Sequence, residues 1–331
     1  MPLALVLDAA FGEPPPRAHP VVGIGALVSA FERSAPAGAG SRFVYGASTT
    51  ALLVGASALA GAVVVRLITP LPAPLAVIAE AWLLKTTLSA RELLAAGSRV
   101  ERSLEDDDLD GARAAAKSLV SRDVDALDRR LLTSAAIESL AENTSDSVVA
   151  PLLYYAAGGL PAALAYRSAN TLDAMIGYRG ELEHLGKAAA RLDDLLNVVP
   201  ARLTSILLLA AGAVGGGDVR TGLAITLRDH RSTSSPNAGW PMSTMAGLLG
   251  TRLEKVGHYR LGEELPAPDV PAIDHAAELV KATAVLTLVV MLGLCWLARS
   301  LARAADMGPA AEPDGADLAS SAARLPRESI R

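Results

Sequence analysis

Long apolar runs, separated by compact knots of acidic and amide residues, predict a helical membrane protein. Phe43 to Val65 has no charged residue, over a length that meets the ~20 residues needed to cross the hydrocarbon core. Gly46, Ser48, Gly55, Ser57 and Gly61 give this run small contact residues, and Arg66 with Pro70, Pro72 and Pro74 ends it. Leu75 to Ala96 reads as a second long apolar helix, but it carries Glu80, Lys85, Arg91 and Glu92. A charge at mid-bilayer costs about 2.5–3.5 kcal/mol on insertion scales, so these side chains face protein, water or an interface. Val148 to Ala165 is a third apolar run, interrupted by Gly158-Gly-Leu-Pro161. It reads either as one broken span or as two shorter helices with a turn at the glycines. Leu203 to Val214 and Ala282 to Ala298 complete the set. The expected fold class is all-α, a polytopic integral membrane bundle of about four to six spans.

The segments between these runs are of three kinds. Met1 to Phe11 is apolar apart from Asp8, too short to span, and without the basic region and cleavage site of a signal peptide. Gly12 to Pro20 contains three consecutive prolines and breaks regular structure; Val21 to Phe31 is helical again, and Ser34 to Ser41 is a linker. Arg99 to Leu132 is highly charged, with Leu109, Ala112, Ala116, Leu119, Val124, Leu127 and Leu131 at helical spacing. It is read as an aqueous helical segment. Residues 228–241 form a polar loop, Met242 to Leu253 a helix, and Glu263 to Asp274 a proline-rich loop. One membrane domain therefore covers residues 1–303, and 304–331 is a disordered tail on composition.

Composition narrows the partners. The 331 residues are 51% apolar but only 4% aromatic, which suits closely packed membrane helices with small residues at their contacts. The net charge of −5 gives no reason to expect nucleic acid. Cys295 is the single cysteine, so an internal disulfide and a cysteine metal cage are both excluded.

The chemistry concentrates between Ser134 and Arg202. Glu138, Glu142 and Asp146 stand at i, i+4 and i+8, one face of a helix. Asn170 with Asp173, and Arg191-Leu-Asp-Asp-Leu-Leu-Asn197, follow closely. Each also has a structural reading. Glu138 suits a solvated helix position, and Asp146 an N-cap ahead of the Val148 run. Asn170 and Asp173 could be partners between packed helices. Asp194 could pair with Arg191, and of the adjacent Asp193 and Asp194 only one is expected to face a site. His19 reads as a turn residue, and His184, His230, His258 and His275 as surface residues without metal spacing. Neither a Gly-x-x-x-x-Gly-Lys-Ser/Thr nor a Gly-x-Gly-x-x-Gly phosphate loop is present. Ser235-Pro-Asn-Ala-Gly239 is the best replacement: Gly239 would let backbone approach an anion, and Asn237 could add a side-chain bond.

Four of these stretches, in order, strongly resemble one family: Glu138-Ser-Leu-Ala-Glu-Asn-Thr-Ser-Asp146, Tyr166-Arg-Ser-Ala-Asn-Thr-Leu-Asp-Ala-Met-Ile-Gly-Tyr178, Ala190-Arg-Leu-Asp-Asp194 through Pro200-Ala-Arg-Leu203, and Ser235-Pro-Asn-Ala-Gly-Trp-Pro241. It is the CbiB/CobD family of cobalamin biosynthesis, the adenosylcobinamide-phosphate synthases. Leu7-Asp8, Gly12-Glu-Pro-Pro, His19-Pro-Val21 and Ser121-Arg-Asp123 look like further elements of it, so the match runs from about Leu3 to Gly262. The resemblance implies a multi-pass enzyme of the inner membrane with its active face towards the cytoplasm. It implies attachment of (R)-1-aminopropan-2-ol, or its O-phosphate, to a propionate carboxyl of the corrinoid adenosylcobyric acid. ATP would drive the amide bond with Mg2+, and other cobalamin-pathway enzymes are possible partners.

Under that reading Glu142, Asp146, Asp173 and Asp194 are the candidate catalytic residues, with Glu142 and Asp146 as magnesium ligands. Asn143, Arg167, Asn170, Arg191, Asp193, Asn197, Arg202, Ser235, Asn237 and Gly239 are candidate substrate contacts. Magnesium prefers oxygen ligands, arginines clamp phosphate or carboxylate, and one carboxylate must take a proton from the attacking ammonium. The chain departs from the usual pattern twice: Thr233 stands where many members have His, and Met242 where many have Glu. Two other classes remain: a transporter or channel using intramembrane carboxylates as a relay, and a non-catalytic scaffold.

Overall fold

The computed structural model describes residues 1–306 except Pro16, Ala18, Ser121 and Arg179. Of the tail expected over 304–331, residues 304–306 instead continue the last helix; the rest, and Ser121 of the Ser-Arg-Asp element, lie outside the described residues. Helices dominate: α1 (Pro2–Phe11), α2 (Pro20–Arg33), α3 (Ala39–Ile68), α4 (Ala73–Lys85), α5 (Ala90–Glu105), α6 (Leu109–Ala116) and α7 (Arg129–Thr144). A π-helical turn, Ser145–Val149, joins α7 to α8 (Ala150–Ile176). Then come α9 (Glu183–Leu196), α10 (Val198–Gly215), α11 (Val219–Asp229), α12 (Gly239–Leu249), an antiparallel pair β1 (Leu253–Lys255) and β2 (Tyr259–Leu261), and α13 (Ala272–Asp306). Met1–Met291 form one compact unit; Leu292 onward is a second, consisting among the described residues of the end of α13.

Among the described residues four stretches are long and apolar enough to cross a membrane: Ala39–Ile68, Arg129–Ile176, Val198–Gly215 and Ala272–Arg303. Val44, Leu52, Leu59, Val63 and Leu67 of α3 stay exposed, the pattern of a helix whose outer face is met by lipid rather than water. The all-α membrane bundle expected from the hydrophobic runs is therefore the fold observed.

Several boundaries differ from the sequence reading, each for a local reason. Leu75 to Ala96 is two helices, because the chain turns at Thr86–Ser89. Thr86 and Thr87 donate their hydroxyls back to the Leu83 and Leu84 carbonyls, each at 2.7 Å. Lys85 is buried there, but its Nζ donates to the Gly12 carbonyl at 2.6 Å and lies 4.4 Å from the Trp82 ring. A buried ammonium is tolerated when it is bonded in this way. The Val148 run is broken where the glycines stand: Gly158 and Gly159 leave helical geometry, and Gly159 takes φ 66, a conformation that a side chain would disfavour. Met242 to Leu253 is not one helix. It ends at Leu249 on a left-handed Gly250, and Leu253 begins the hairpin.

Within the charged segment, α6 starts at Asp108, whose carboxylate accepts from the Gly111 amide at 2.8 Å. Leu104, Ala112, Ala116 and Val124 are buried with Leu132, Ile137 and Leu140 of α7 and with α12 and the hairpin. Leu109, Ala112, Ala116, Leu119, Val124 and Leu127 of the expected stripe join this core, but Leu119, Val124 and Leu127 do so from the irregular chain between α6 and α7, and Leu131 is not part of it. A second core joins α1, α4 and the first half of α8; a third joins α2, α3, the end of α8 and α9. At the α3–α9 crossing, a Cβ on Gly46 would lie 1.9 Å from the Leu185 carbonyl oxygen, so only glycine permits this approach.

Candidate active site

The three polar knots converge because helix ends meet. The end of α7 and the π turn bring Glu142, Ser145 and Asp146; the end of α8 brings Asp173 and then Gly177 and Tyr178; the α9–α10 junction brings Asp193, Asp194 and Asn197. The loop before α12 closes the ring with Ser234, Ser235 and Asn237. These groups line one half-open cavity of about 370 Å³. Among the described residues five carboxylates line it, and no lysine or arginine does.

The carboxylates fall into two kinds. Asp146 and Asp193 are held: the Asn170 amide donates to Asp146 Oδ2 at 3.4 Å and to Asp193 Oδ1 at 3.3 Å. Asn197 donates to Asp193 Oδ2 at 2.9 Å and accepts from the Tyr166 hydroxyl at 2.9 Å. Tyr166 in turn stacks on Tyr154, ring centroids 5.0 Å apart. Glu142, Asp173 and Asp194, in contrast, have side chains with no hydrogen-bond partner among the described residues. They are free to receive a cation or a proton.

Both adjacent aspartates of α9 reach the cavity, contrary to the expectation that one would turn away. The cavity lies at the end of the helix and runs round it, so neighbouring positions can both open onto it. Burial raises the Asp193 carboxyl above the ordinary value of 3.8, against the bonds from Asn197 and Asn170 and with the Asp194 charge. Burial also raises Asp194, against the charge of Arg191. Arg191 itself is exposed and does not line the cavity.

The remaining candidates spread around this centre. Asn143 and Arg167 line a separate cavity of about 200 Å³ with Ser89, Ser139 and Ser147. Arg167 reaches back with Nη1 3.5 Å from Asn170 Oδ1. Arg202 donates to Asn237 Oδ1 at 3.2 Å and lies 4.8 Å from the Trp240 ring. Asn237 donates to the Asp194 carbonyl at 2.7 Å, so the two ends of its amide pin the loop to α9 and α10. The backbone N–H groups of Asn237 and Ala238 point at Ser235 Oγ, at 3.2 and 3.3 Å. The loop therefore presents side chains rather than the row of free N–H groups expected of a phosphate loop. Gly239 is off the lining too: a Cβ there would meet the His230 carbonyl oxygen at 2.2 Å, so its smallness serves packing.

Glu138 does not line the acidic cavity, and it is not solvated. It is buried and accepts from Ser134 Oγ and the Tyr259 hydroxyl, both at 2.7 Å, tying α7 to the hairpin. Met242 is buried beside this group, its Sδ 3.9 Å from the Tyr259 oxygen. Thr233 donates to the Ser235 carbonyl at 2.8 Å and so shapes the loop. His19 is the turn residue expected, capping α2 by accepting from the Val21 amide at 3.2 Å while bonding Glu13. His230 is half-buried against Trp240, ring centroids 4.1 Å apart, not a free surface group. Ser145, Tyr178 and Ser234 also line the cavity; the first two lie inside family motifs and Ser234 directly precedes one, but none is a candidate on sequence.

The donor set is all oxygen, which fits magnesium. No three His, Cys, Asp or Glu side chains among the described residues form a ready-made metal group. That is compatible with an ion held by one or two carboxylates together with substrate phosphates.

Fold and site together define a helical membrane protein with a carboxylate-walled cavity at the ends of its helices. A family model described as "CobD/Cbib protein" matches residues 1–292. The chain is 39% identical over 298 residues to "Cobalamin biosynthesis protein CobD" of Dehalococcoides mccartyi (strain CBDB1), covering 90% of this chain and 97% of that one. It is 38% identical over 301 residues to "Probable cobalamin biosynthesis protein CobD" of Methanocaldococcus jannaschii, covering 89% and 97%. With "Cobalamin biosynthesis protein CobD" of Geobacter metallireducens the identity is 41% over 271 residues, covering 81% and 84%. No solved structure matches significantly. The chain belongs to the CobD/CbiB family.

Proposed function

We propose that this protein acts in cobalamin biosynthesis as an ATP-dependent amide synthase. It joins 1-aminopropan-2-ol, or its O-phosphate, to a propionate carboxyl of adenosylcobyric acid. The observation that carries the reading is the composition of the cavity wall: among the described residues, five carboxylates, two of them fixed by Asn170, and no basic residue. Such a wall selects cations, and this reaction brings two, the ammonium of the amine and the magnesium that accompanies ATP.

A carboxylate does not react with an amine until one oxygen becomes a leaving group. In the proposed sequence the propionate oxygen attacks the terminal phosphorus of ATP and ADP leaves. The amine then attacks the acyl carbon, and phosphate leaves as the C–N bond forms. The attacking ammonium must first lose a proton. Asp194, partly exposed, raised by burial and without a hydrogen-bond partner of its own, is the group placed to take it. Asp193, already bonded, orients the amine. Glu142 with Asp146 would hold magnesium, which supplies charge neutralisation at the phosphates. Glu142 lies one turn before Asp146, and both line the cavity.

The position of the cavity favours an enzyme over a relay. Asp146 directly precedes the Val148 run, Asp173 is close to the end of α8, and Asn197 precedes Val198 of the next span. The polar groups thus cluster at the edges of apolar runs, where water-borne substrates arrive, and not at their middles. The inner membrane, with the cavity towards the cytoplasm where ATP is found, is the matching location. The test is incubation of the purified protein with adenosylcobyric acid, ATP, magnesium and aminopropanol or its phosphate. ATP-dependent formation of the amide is expected. No product under conditions where a known synthase works would overturn the reading.

A further inference from the structure

Beside the acidic cavity lies a smaller one of about 130 Å³, lined by Arg122, Glu138, Ser139, Glu142, Lys255 and Tyr259 among others. Its two basic residues come from opposite sides, Arg122 from the turn after α6 and Lys255 from β1. Arg122 is incompletely bonded. Its Nε and Nη2 are buried with no hydrogen-bond partner among the described residues. Its carboxylate neighbour is Glu138, 3.4 Å from Nη2. Both oxygens of Glu138 are already taken, Oε1 by Ser134 and Oε2 by Tyr259.

A guanidinium has five N–H donors in a planar fork, and buried donors left unmade cost stability. Proteins keep such a group where something else supplies the acceptor. Here Lys255 adds a second cation, and the space holds a group of a few oxygens but not a nucleoside. Burial and the Glu138 carboxylate push the Tyr259 hydroxyl well above its ordinary range, so it remains a donor. Glu142 lines both cavities, so a group bound here touches the wall of the acidic site.

We propose that Arg122 and Lys255 form a phosphoryl subsite, holding a phosphate group of a substrate whose remaining atoms extend past Glu142 into the acidic cavity. The inference rests on the amide-synthase reading for its substrate, which has two sources of phosphate: the nucleotide and the amino-alcohol phosphate. Planar, two-pronged recognition of a phosphate is what an arginine fork does best, and Lys255 adds a point charge. Glu142 would repel the phosphate unless a cation lies between them, and the acidic cavity is built to hold one.

The test uses the full-length protein in detergent, with the variants Arg122→Gln, Arg122→Lys and Lys255→Gln. Inorganic phosphate is titrated first and the thermal midpoint recorded, a readout independent of turnover. The midpoint of the wild type should rise saturably. Arg122→Gln should need about tenfold more phosphate for the same rise, and Lys255→Gln should also weaken it, with Arg122→Lys keeping more than Arg122→Gln. KM values then identify the source. A rise confined to aminopropanol phosphate, absent with free aminopropanol, marks the amino-alcohol. A rise for ATP with either amine marks the nucleotide. No saturable response in the wild type, or the same response in Arg122→Gln and Lys255→Gln, would overturn the subsite while leaving the synthase reading intact. A normal phosphate response with no amide product would overturn the synthase reading alone.

Discussion

Asp146 and Asp193 lie 47 positions apart in sequence order yet share one donor, the Asn170 amide, at 3.4 and 3.3 Å. Two carboxylates drawn together repel, and the amide between them offsets part of that cost. This single side chain joins the π turn after α7 to α9 through α8.

Asn170→Ala therefore removes the donor and leaves both carboxylates facing each other. Loss of a buried hydrogen-bond donor to charged groups costs about 1–3 kcal/mol, so the midpoint of thermal unfolding in detergent should fall by several degrees. Asn170→Asp should be worse, since it adds a further negative charge. Melting curves of the three proteins, with turnover measured alongside, check the order; a more stable Asn170→Asp would contradict it.

Titration of the α9 aspartates gives a signed pH dependence. Burial raises both Asp193 and Asp194 above 3.8, so the folded state binds their protons more tightly than the unfolded chain does. Their contribution to stability is complete below the ordinary carboxylate value and is lost as pH rises through the raised values. Without divalent cation the unfolding midpoint should thus fall with rising pH in this window. Asp193→Asn should flatten that slope. Added magnesium should restore stability at the higher pH, where the carboxylates are ionised, and a pH-independent magnesium effect would contradict the cation role of the cavity.

Glu138 should behave as a residue that ties the fold together. Glu138→Ala strips the acceptor from Ser134 and Tyr259 and the counter-charge from Arg122 at once. Breaking a buried charged pair from one side costs roughly 3–5 kcal/mol. Low yield or a strongly lowered midpoint is expected, and Glu138→Gln should recover part of it by keeping an acceptor oxygen. Normal stability of Glu138→Ala would show that the hairpin is held by other contacts.

Packing at the α3–α9 crossing should be intolerant of even one carbon. Gly46→Ala puts a Cβ 1.9 Å from the backbone oxygen of Leu185, which cannot rotate away as a side chain would. The helices must separate, and the loss of contact is felt along both. Gly55→Ala, on the same helix with open space around its would-be Cβ, is the control and should be neutral or slightly stabilising. Comparing their melting curves isolates the crossing from helix propensity.

The sequence alone determined the class of molecule, because the evidence for it is local. A charge-free run such as Phe43 to Val65 is long enough to span whatever packs against it, and the Gly158-Gly-Leu-Pro161 break announces itself through residues that cannot continue a helix. The acidic knots were legible for the same reason: carboxylates beside apolar runs need an explanation. Which carboxylates share a cavity was decided only by tertiary structure. Glu138 sits on the same helical stripe as Glu142, but the hairpin from far along the chain captures it, while Asp193 and Asp194 both open onto a cavity at a helix end. Helical periodicity records the direction of a side chain about its own axis and not the elements that later arrive there. Arg122 and Lys255 show the same limit: they lie 133 positions apart, and only the fold brings both to the wall that Glu142 divides.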